Sequence, residues 1–185
     1  TVYMLPIPTD KPGNVEKGFQ ILEDWAHQVT YNDKDINDER NVILEESRLG
    51  QGADERMRRK WLPELFAGSK YANRLPIGID SIISNFKPDA IRRFYKEWYR
   101  PNLMVVIVVG DISSKDAEAL VKKHFAHLKN PANPRPREVS PLNPYSKSNA
   151  MVVTDKEATN YSISVYYSAI PSKQSSTLGE YRNDM

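Results

Sequence analysis

The sequence predicts an α+β fold in which a mixed sheet is layered against helices. Apolar residues recur at helical spacing in several segments of the 185-residue chain. A continuous apolar run over residues 103–109 is typical of a strand buried on both faces. Apolar and polar side chains alternate over residues 160–169, which indicates a strand with one buried face.

The first predicted elements are a strand over residues 1–8 and a helix from Asn14 to about Val29. A turn-rich segment separates them, and Asn14 is a suitable N-cap. A second helix is expected over residues 34–67, opened by a cluster of acidic residues that suits a helix N-terminus. Glycines at positions 50 and 52 are expected to weaken or bend it.

A second set of elements follows a loop at residues 68–78. Helices are predicted at 80–85 and 88–99, and Pro88 suits the first helical position of the latter. The apolar strand 103–109 then leads to a helix over 115–128, with Ser113 or Ser114 as its cap. Five prolines make residues 130–148 a connecting segment, and strands at 149–155 and 160–169 precede a helix that opens near residue 174.

Composition excludes several classes of function. A net charge of +2 with 27% charged residues predicts neither a nucleic-acid nor a membrane partner. The basic residues 56 and 58–60 are flanked by acids, as on a solvated helix face. The chain has no cysteine, which excludes disulfides and thiolate metal sites. The longest apolar run, 103–109, is far shorter than the ~20 residues of a membrane-spanning helix.

The candidate site consists of Glu39 and Glu46, two helical turns apart, with Val42 and Ile43 between them. A buried carboxylate costs several kcal/mol unless a cation or hydrogen bonds compensate it, and zinc is one such cation. Spacing alone is more typical of a solvated face, and Glu45 could equally be the inward residue of the helix.

Three segments, in this order, resemble the pitrilysin/insulinase family of zinc metallopeptidases, which includes the mitochondrial processing peptidase and bacterial zinc proteases. They are DERNVILEE at 38–46, PIG with DSI at 76–82, and FYKEWYRPNLM at 94–104 followed by the apolar strand and Gly110-Asp111. The resemblance covers residues 1–128 well and residues 149–185 only by the order of elements. It implies a truncated mitochondrial processing peptidase-like metallohydrolase fold.

The resemblance also implies roles for the two acids. Glu46 falls on the third zinc ligand of the family, and Glu39 on a glutamate that sits beside the site and supports the ligands. The family's two histidine ligands and its general base come from an upstream His-x-x-Glu-His. Only 45 residues precede Glu46, and the three histidines of this chain do not form that motif. His124 and His127 are therefore expected to be ordinary helix residues.

The chain is accordingly expected to be an internal fragment of a zinc-dependent metalloendopeptidase, inactive alone. Residues 1–129 would be the C-terminal part of the zinc-site half-domain, 130–148 a connection, and 149–185 the start of the next region. Zinc in the intact enzyme, peptide substrates and the remainder of its own polypeptide are the implied cofactor and partners. Exposed apolar surface is expected where missing strands belong. The compartment stays open between bacterial envelope or periplasm and cytoplasm.

The alternative is a non-catalytic family member, which serves as a scaffold or as the inactive half of a two-halved peptidase. The presence of both Glu39 and Glu46 argues against this alternative, because a half-domain that binds no metal does not need both acids. A His-x-x-Glu-His motif upstream of Thr1 would discriminate between the two possibilities.

Overall fold

The computed structural model of the protein describes residues 1–142, 145, 147–167 and 176–184. Two short 3-10 turns, Lys70–Asn73 and Pro101–Leu103, accompany the α-helices. Within these ranges there are seven α-helices and no strand: α1 Asn14–His27, α2 Asp33–Leu49, α3 Ala53–Leu65, α4 Asp80–Asn85, α5 Pro88–Trp98, α6 Ser114–Phe125 and α7 Leu178–Asp184.

The predicted mixed sheet layered against helices is therefore wrong for the described residues. Residues 104–109 have no regular hydrogen-bonded structure, and Val105, Ile107 and Val109 are 84%, 79% and 91% exposed. A strand exists only when its backbone pairs with a neighbouring strand, and no such partner lies beside this run within the described chain. The strands predicted at 1–8, 149–155 and 160–167 are absent for the same reason. Residues 168 and 169 of the last lie outside the described residues.

The predicted helices are largely confirmed, because their signals are local. Pro88 is the first residue of α5, and the Ser113 hydroxyl accepts a hydrogen bond from the Asp116 backbone N–H at 3.1 Å to cap α6. The cap predicted for α1 is wrong. Gly13 precedes that helix with φ 87°, and the Asn14 amide instead donates to the Pro8 carbonyl at 2.9 Å.

The single helix predicted over residues 34–67 is two helices. The Gly50 N–H still donates to the Glu46 carbonyl at 2.9 Å, so the helical pattern continues to that point. Gly52 then takes an extended conformation immediately before α3. Ordering a glycine costs more conformational entropy than ordering any other residue, which is why the break falls here.

The described residues fall into two compact units, and the first comprises 1–40 and 85–137. In this unit α1 packs against α6. Phe19 and Tyr95 are among its buried residues, and the Tyr95 hydroxyl donates to the Trp25 carbonyl at 2.7 Å. The apolar stripe of α1 thus supplies part of the core, as expected of an amphipathic helix.

The second unit comprises 41–84 and the described part of 138–185. Arg56 of α3 donates to both carboxylate oxygens of Asp155 at 2.8 and 2.6 Å and to Glu157 at 2.6 Å. These bonds lower the pKa of Asp155 and raise the pKa of Arg56 from their ordinary values. None of the described helices has the length and apolar character needed to cross a membrane.

Candidate metal-ligating residues

Glu46 lies on the part of α2 that belongs to the second unit, and its side chain is exposed. Ser47, the next residue, is buried and donates from Oγ to Asp80 Oδ1 at 2.7 Å. That bond fixes the rotation of the helix about its axis, so Glu46 points outward beside the exposed Val42 and Leu49. Glu45 does not point inward either, since it is exposed and accepts from Arg48 at 2.9 Å.

Glu39 lies on the part of α2 that belongs to the first unit and is also exposed. Its neighbour Arg40 stacks over the Phe86 ring, 4.1 Å from the centroid, and donates to the Phe86 carbonyl at 3.0 Å. Within the described ranges neither Glu39 nor Glu46 belongs to a group of three or more potential metal ligands. Their roles at a zinc site therefore stay predictions.

His124 and His127 were predicted to be ordinary helix residues, but His127 lies two residues beyond the end of α6 and His124 is buried between two carboxylates. Its side chain is 4% exposed, and its Nδ1 lies 2.7 Å from Glu23 Oε2 while its Nε2 lies 3.0 Å from Glu16 Oε1. The hydrogen bond from His124 lowers the pKa of Glu23 below its ordinary value. The pKa of Glu16 is lowered first by its bond with Lys123 and then by His124. The buried imidazole therefore links α1 to α6 through two carboxylates.

Glu23, His27 and His127 form the one group in the described residues in which three potential ligand atoms lie within 4.8 Å of one another. Glu23 Oε1 is 3.5 Å from His27 Nε2 and 3.4 Å from His127 Nε2. Glu23 is buried and both histidines are exposed. Sequence reasoning missed this group. The spacing of Glu23 and His27, one helical turn apart, was the available signal.

Comparison with known families identifies the chain. The family described as "Peptidase M16 inactive domain" matches residues 85–178, just over half of the chain. The chain belongs to the M16 peptidase family. The resemblance to the pitrilysin/insulinase peptidases is thereby confirmed.

Two M16 relatives match nearly the whole chain. "Probable zinc protease PqqL" of Escherichia coli (strain K12) is 35% identical over 168 residues, 90% of this chain and 18% of the relative. "Zinc protease PQQL-like" of Arabidopsis thaliana is 29% identical over 184 residues, 99% of this chain and 19% of the relative. The chain thus spans less than a fifth of the length of these relatives.

A solved M16 structure supports the same assignment. The first half of the periplasmic protease PqqL from Escherichia coli superposes with a TM-score of 0.68 at 36% identity. The match covers 75% of this chain and 30% of that one. Three quarters of this chain therefore shares its fold with a segment of the first half of that protease.

Proposed function

We propose that this chain contributes to a zinc-dependent metalloendopeptidase that hydrolyses peptides, with Glu46 as one of its three zinc ligands. The similarity to proteins named zinc proteases over 90% or more of the chain is the observation that carries the proposal. The resemblance of residues 38–46 to the family's ligand segment assigns the metal-binding role to Glu46 and the supporting role to Glu39.

The surroundings of Glu46 suit a ligand whose partners come from elsewhere. A carboxylate oxygen is a normal zinc ligand, and a ligand must be open to the side from which the metal and the other ligands approach. Among the described residues, the Glu46 carboxylate has neither a hydrogen bond nor an ion pair that would compete with a metal. The open surface around it is bounded by Asn41, Val42, Glu45, Leu49 and Gly50.

The chain's own residues would act by holding that carboxylate in place. The Ser47–Asp80 bond sets the rotation of α2, and the Gly50–Glu46 backbone bond keeps the last turn helical under Glu46. A ligand held on a rigid helix needs little reordering when it binds. Zinc bound by two histidines and one glutamate supplies an activated water for peptide hydrolysis.

Two further features of the proposal concern partners and compartment. The exposed apolar residues at 105, 107 and 109 are suited to being covered by the remainder of the polypeptide, in agreement with the greater length of the relatives.

The Escherichia coli structure is described as a periplasmic protease, and we propose the bacterial envelope or periplasm for this protein on that basis.

The first test is the coding region upstream of Thr1, where an in-frame His-x-x-Glu-His is expected. The decisive test compares Glu46→Gln with Glu45→Gln in the full-length protein. Both residues are exposed, adjacent and on the same helix, so the pair is matched. Glu46→Gln should lose the active-site zinc and at least ~100-fold in peptide hydrolysis, because an amide is a poorer zinc ligand. Glu45→Gln should retain both. Equal behaviour of the two variants would refute the role of Glu46.

One observation favours a second function. The matched family description is that of an inactive domain, and it begins at residue 85, beyond Glu46. The chain could therefore serve as a non-catalytic scaffold or as the inactive half of a two-halved peptidase. Absence of His-x-x-Glu-His upstream, together with full activity of Glu46→Gln, would support that function and exclude the first.

A further inference from the structure

We propose that Glu23, His27 and His127 form a zinc site of their own, separate from Glu46, which fastens the end of α6 to α1. All three residues belong to the first unit. His27 lies in the last turn of α1, one turn after Glu23, and His127 lies two residues beyond the end of α6. The proposal does not depend on the proposed peptidase function.

The two separations measured from the shared carboxylate oxygen match a tetrahedral zinc site. Zinc binds imidazole nitrogen and carboxylate oxygen at about 2.0–2.2 Å, so adjacent tetrahedral ligands lie about 3.3–3.6 Å apart. The observed separations from Glu23 Oε1 are 3.5 Å to His27 Nε2 and 3.4 Å to His127 Nε2. One ligand atom of each of the three residues lies within 4.8 Å of a ligand atom of the other two, so the three residues are close enough to share one ion.

Ordinary hydrogen bonding explains these two contacts less well. A charge-assisted bond between nitrogen and carboxylate oxygen is typically 2.7–2.9 Å long. The bond between His124 Nδ1 and Glu23 Oε2, on the same carboxylate, has that length at 2.7 Å. The contacts of His27 and His127 are more than half an ångström longer and converge on the other oxygen. These distances suit an ion that binds Oε1 and both rings, and such an ion would replace the contact of His27 Nε2 with Gln28 Nε2 at 3.3 Å.

The carboxylate is also held as metal ligands usually are. Oε2 of Glu23 is hydrogen-bonded to the buried His124, whose second nitrogen lies 3.0 Å from Glu16. The other oxygen, Oε1, therefore faces the two exposed histidines. Such outer partners orient a ligand and raise its affinity for metal. The side chains of His27 and His127 are 30% and 55% exposed, which gives an ion access from solvent and leaves a fourth position for water.

The ligand set favours a transition-metal ion such as zinc over calcium or magnesium. Two imidazole nitrogens and one carboxylate oxygen suit zinc, whereas calcium and magnesium prefer oxygen ligands alone. The site joins a residue pair on α1 to the segment that follows α6, and α1 already packs against α6. Bound zinc would therefore stabilise this unit of the fold, and a structural role follows from that placement.

The test is zinc titration of the full-length protein by competition with a chromophoric chelator. Every sample carries Glu46→Gln, so that the proposed peptidase site does not contribute. We expect one equivalent of zinc in this background and at least ~100-fold weaker binding after His27→Ala or His127→Ala. Lys122→Ala is the matched control, because Lys122 is an exposed residue of α6 that pairs with Glu118 and contacts none of the ligands. It should bind zinc unchanged.

A second measurement guards against loss of folding in the variants. Zinc at about 100 times its Kd should raise the midpoint of the thermal transition that unfolds this unit in the parent and in Lys122→Ala, and should raise it much less in the histidine variants. The Tm values in EDTA show whether each variant is folded. The proposal is overturned if His27→Ala and His127→Ala bind zinc as the parent does. It is equally overturned if the parent binds zinc no more tightly than a variant that carries both His27→Ala and His127→Ala.

Discussion

Replacement of His124 by phenylalanine should destabilise the protein, although it leaves an aromatic ring in place. The imidazole is 4% exposed and packs with its centroid 6.0 Å from that of Phe19. Phenylalanine keeps that ring contact and removes both nitrogen atoms. Glu23, whose side chain is 11% exposed, then loses the partner of its Oε2.

The magnitude follows from the burial of the two bonds. A hydrogen bond to a charged group that is withdrawn from water contributes about 1.5–3 kcal/mol, which applies to the bond with Glu23. Glu16 is 44% exposed and retains its ion pair with Lys123, so its bond with His124 adds at most a small amount. The expected loss in the free energy of unfolding is therefore about 2–3 kcal/mol.

Urea unfolding in EDTA, followed by tryptophan fluorescence and far-ultraviolet circular dichroism, would measure this loss. His127→Ala is the control, since His127 touches the same carboxylate at 3.4 Å but has a 55% exposed side chain. Its cost should stay within about 0.5 kcal/mol. His124→Gln, which retains one donor, should lie between the two. If His124→Phe costs no more than His127→Ala, the buried imidazole does not stabilise this unit and the reasoning fails.

Two further predictions concern ionised groups. Because the pKa of Glu23 is lowered from its ordinary value of 4.5, its ionised form contributes stability that is present above about pH 4.5 and lost as the pH falls through the lowered value. The urea concentration at the unfolding midpoint should therefore decrease as the pH is lowered below 4.5. An equally large decrease in His124→Phe would show that the bond between His124 and Glu23 does not cause this pH dependence. Arg56→Lys keeps the charge but cannot reproduce the two-oxygen contact with Asp155. The Glu157 amide, which donates to Asp155 Oδ1 at 3.0 Å, should then exchange with solvent several times faster, whereas unchanged exchange would show that the contact does not order this turn.

The helices could be predicted from sequence because each depends on neighbouring residues. Pro88 alone predicts the first residue of α5, whereas the cap of α6 was predicted as Ser113 or Ser114 and is Ser113 in the structure. The break between α2 and α3 could be located at Gly50 and Gly52, but its extent could not. Propensity indicates that a glycine weakens a helix, whereas surrounding packing decides whether the helix bends or ends.

The strands could not be predicted in the same way. The apolar run at 103–109 has the composition of a buried strand, yet a strand also needs a partner for its backbone. Composition describes the side chains of one segment and carries no information on whether another segment lies beside it. The described residues supply no such partner, and the apolar side chains of this run are left exposed.

Sequence by itself determined the family of this protein, its helices and the candidate roles of Glu39 and Glu46, because these rest on local patterns and on residue order. Only the tertiary structure decided that His124 is buried against Glu23, 101 residues away in the chain. It alone brought His127 to the carboxylate that His27 also faces. Such contacts depend on how α1 packs against α6, and that packing follows from the burial of both helix faces together and not from the pattern of either helix.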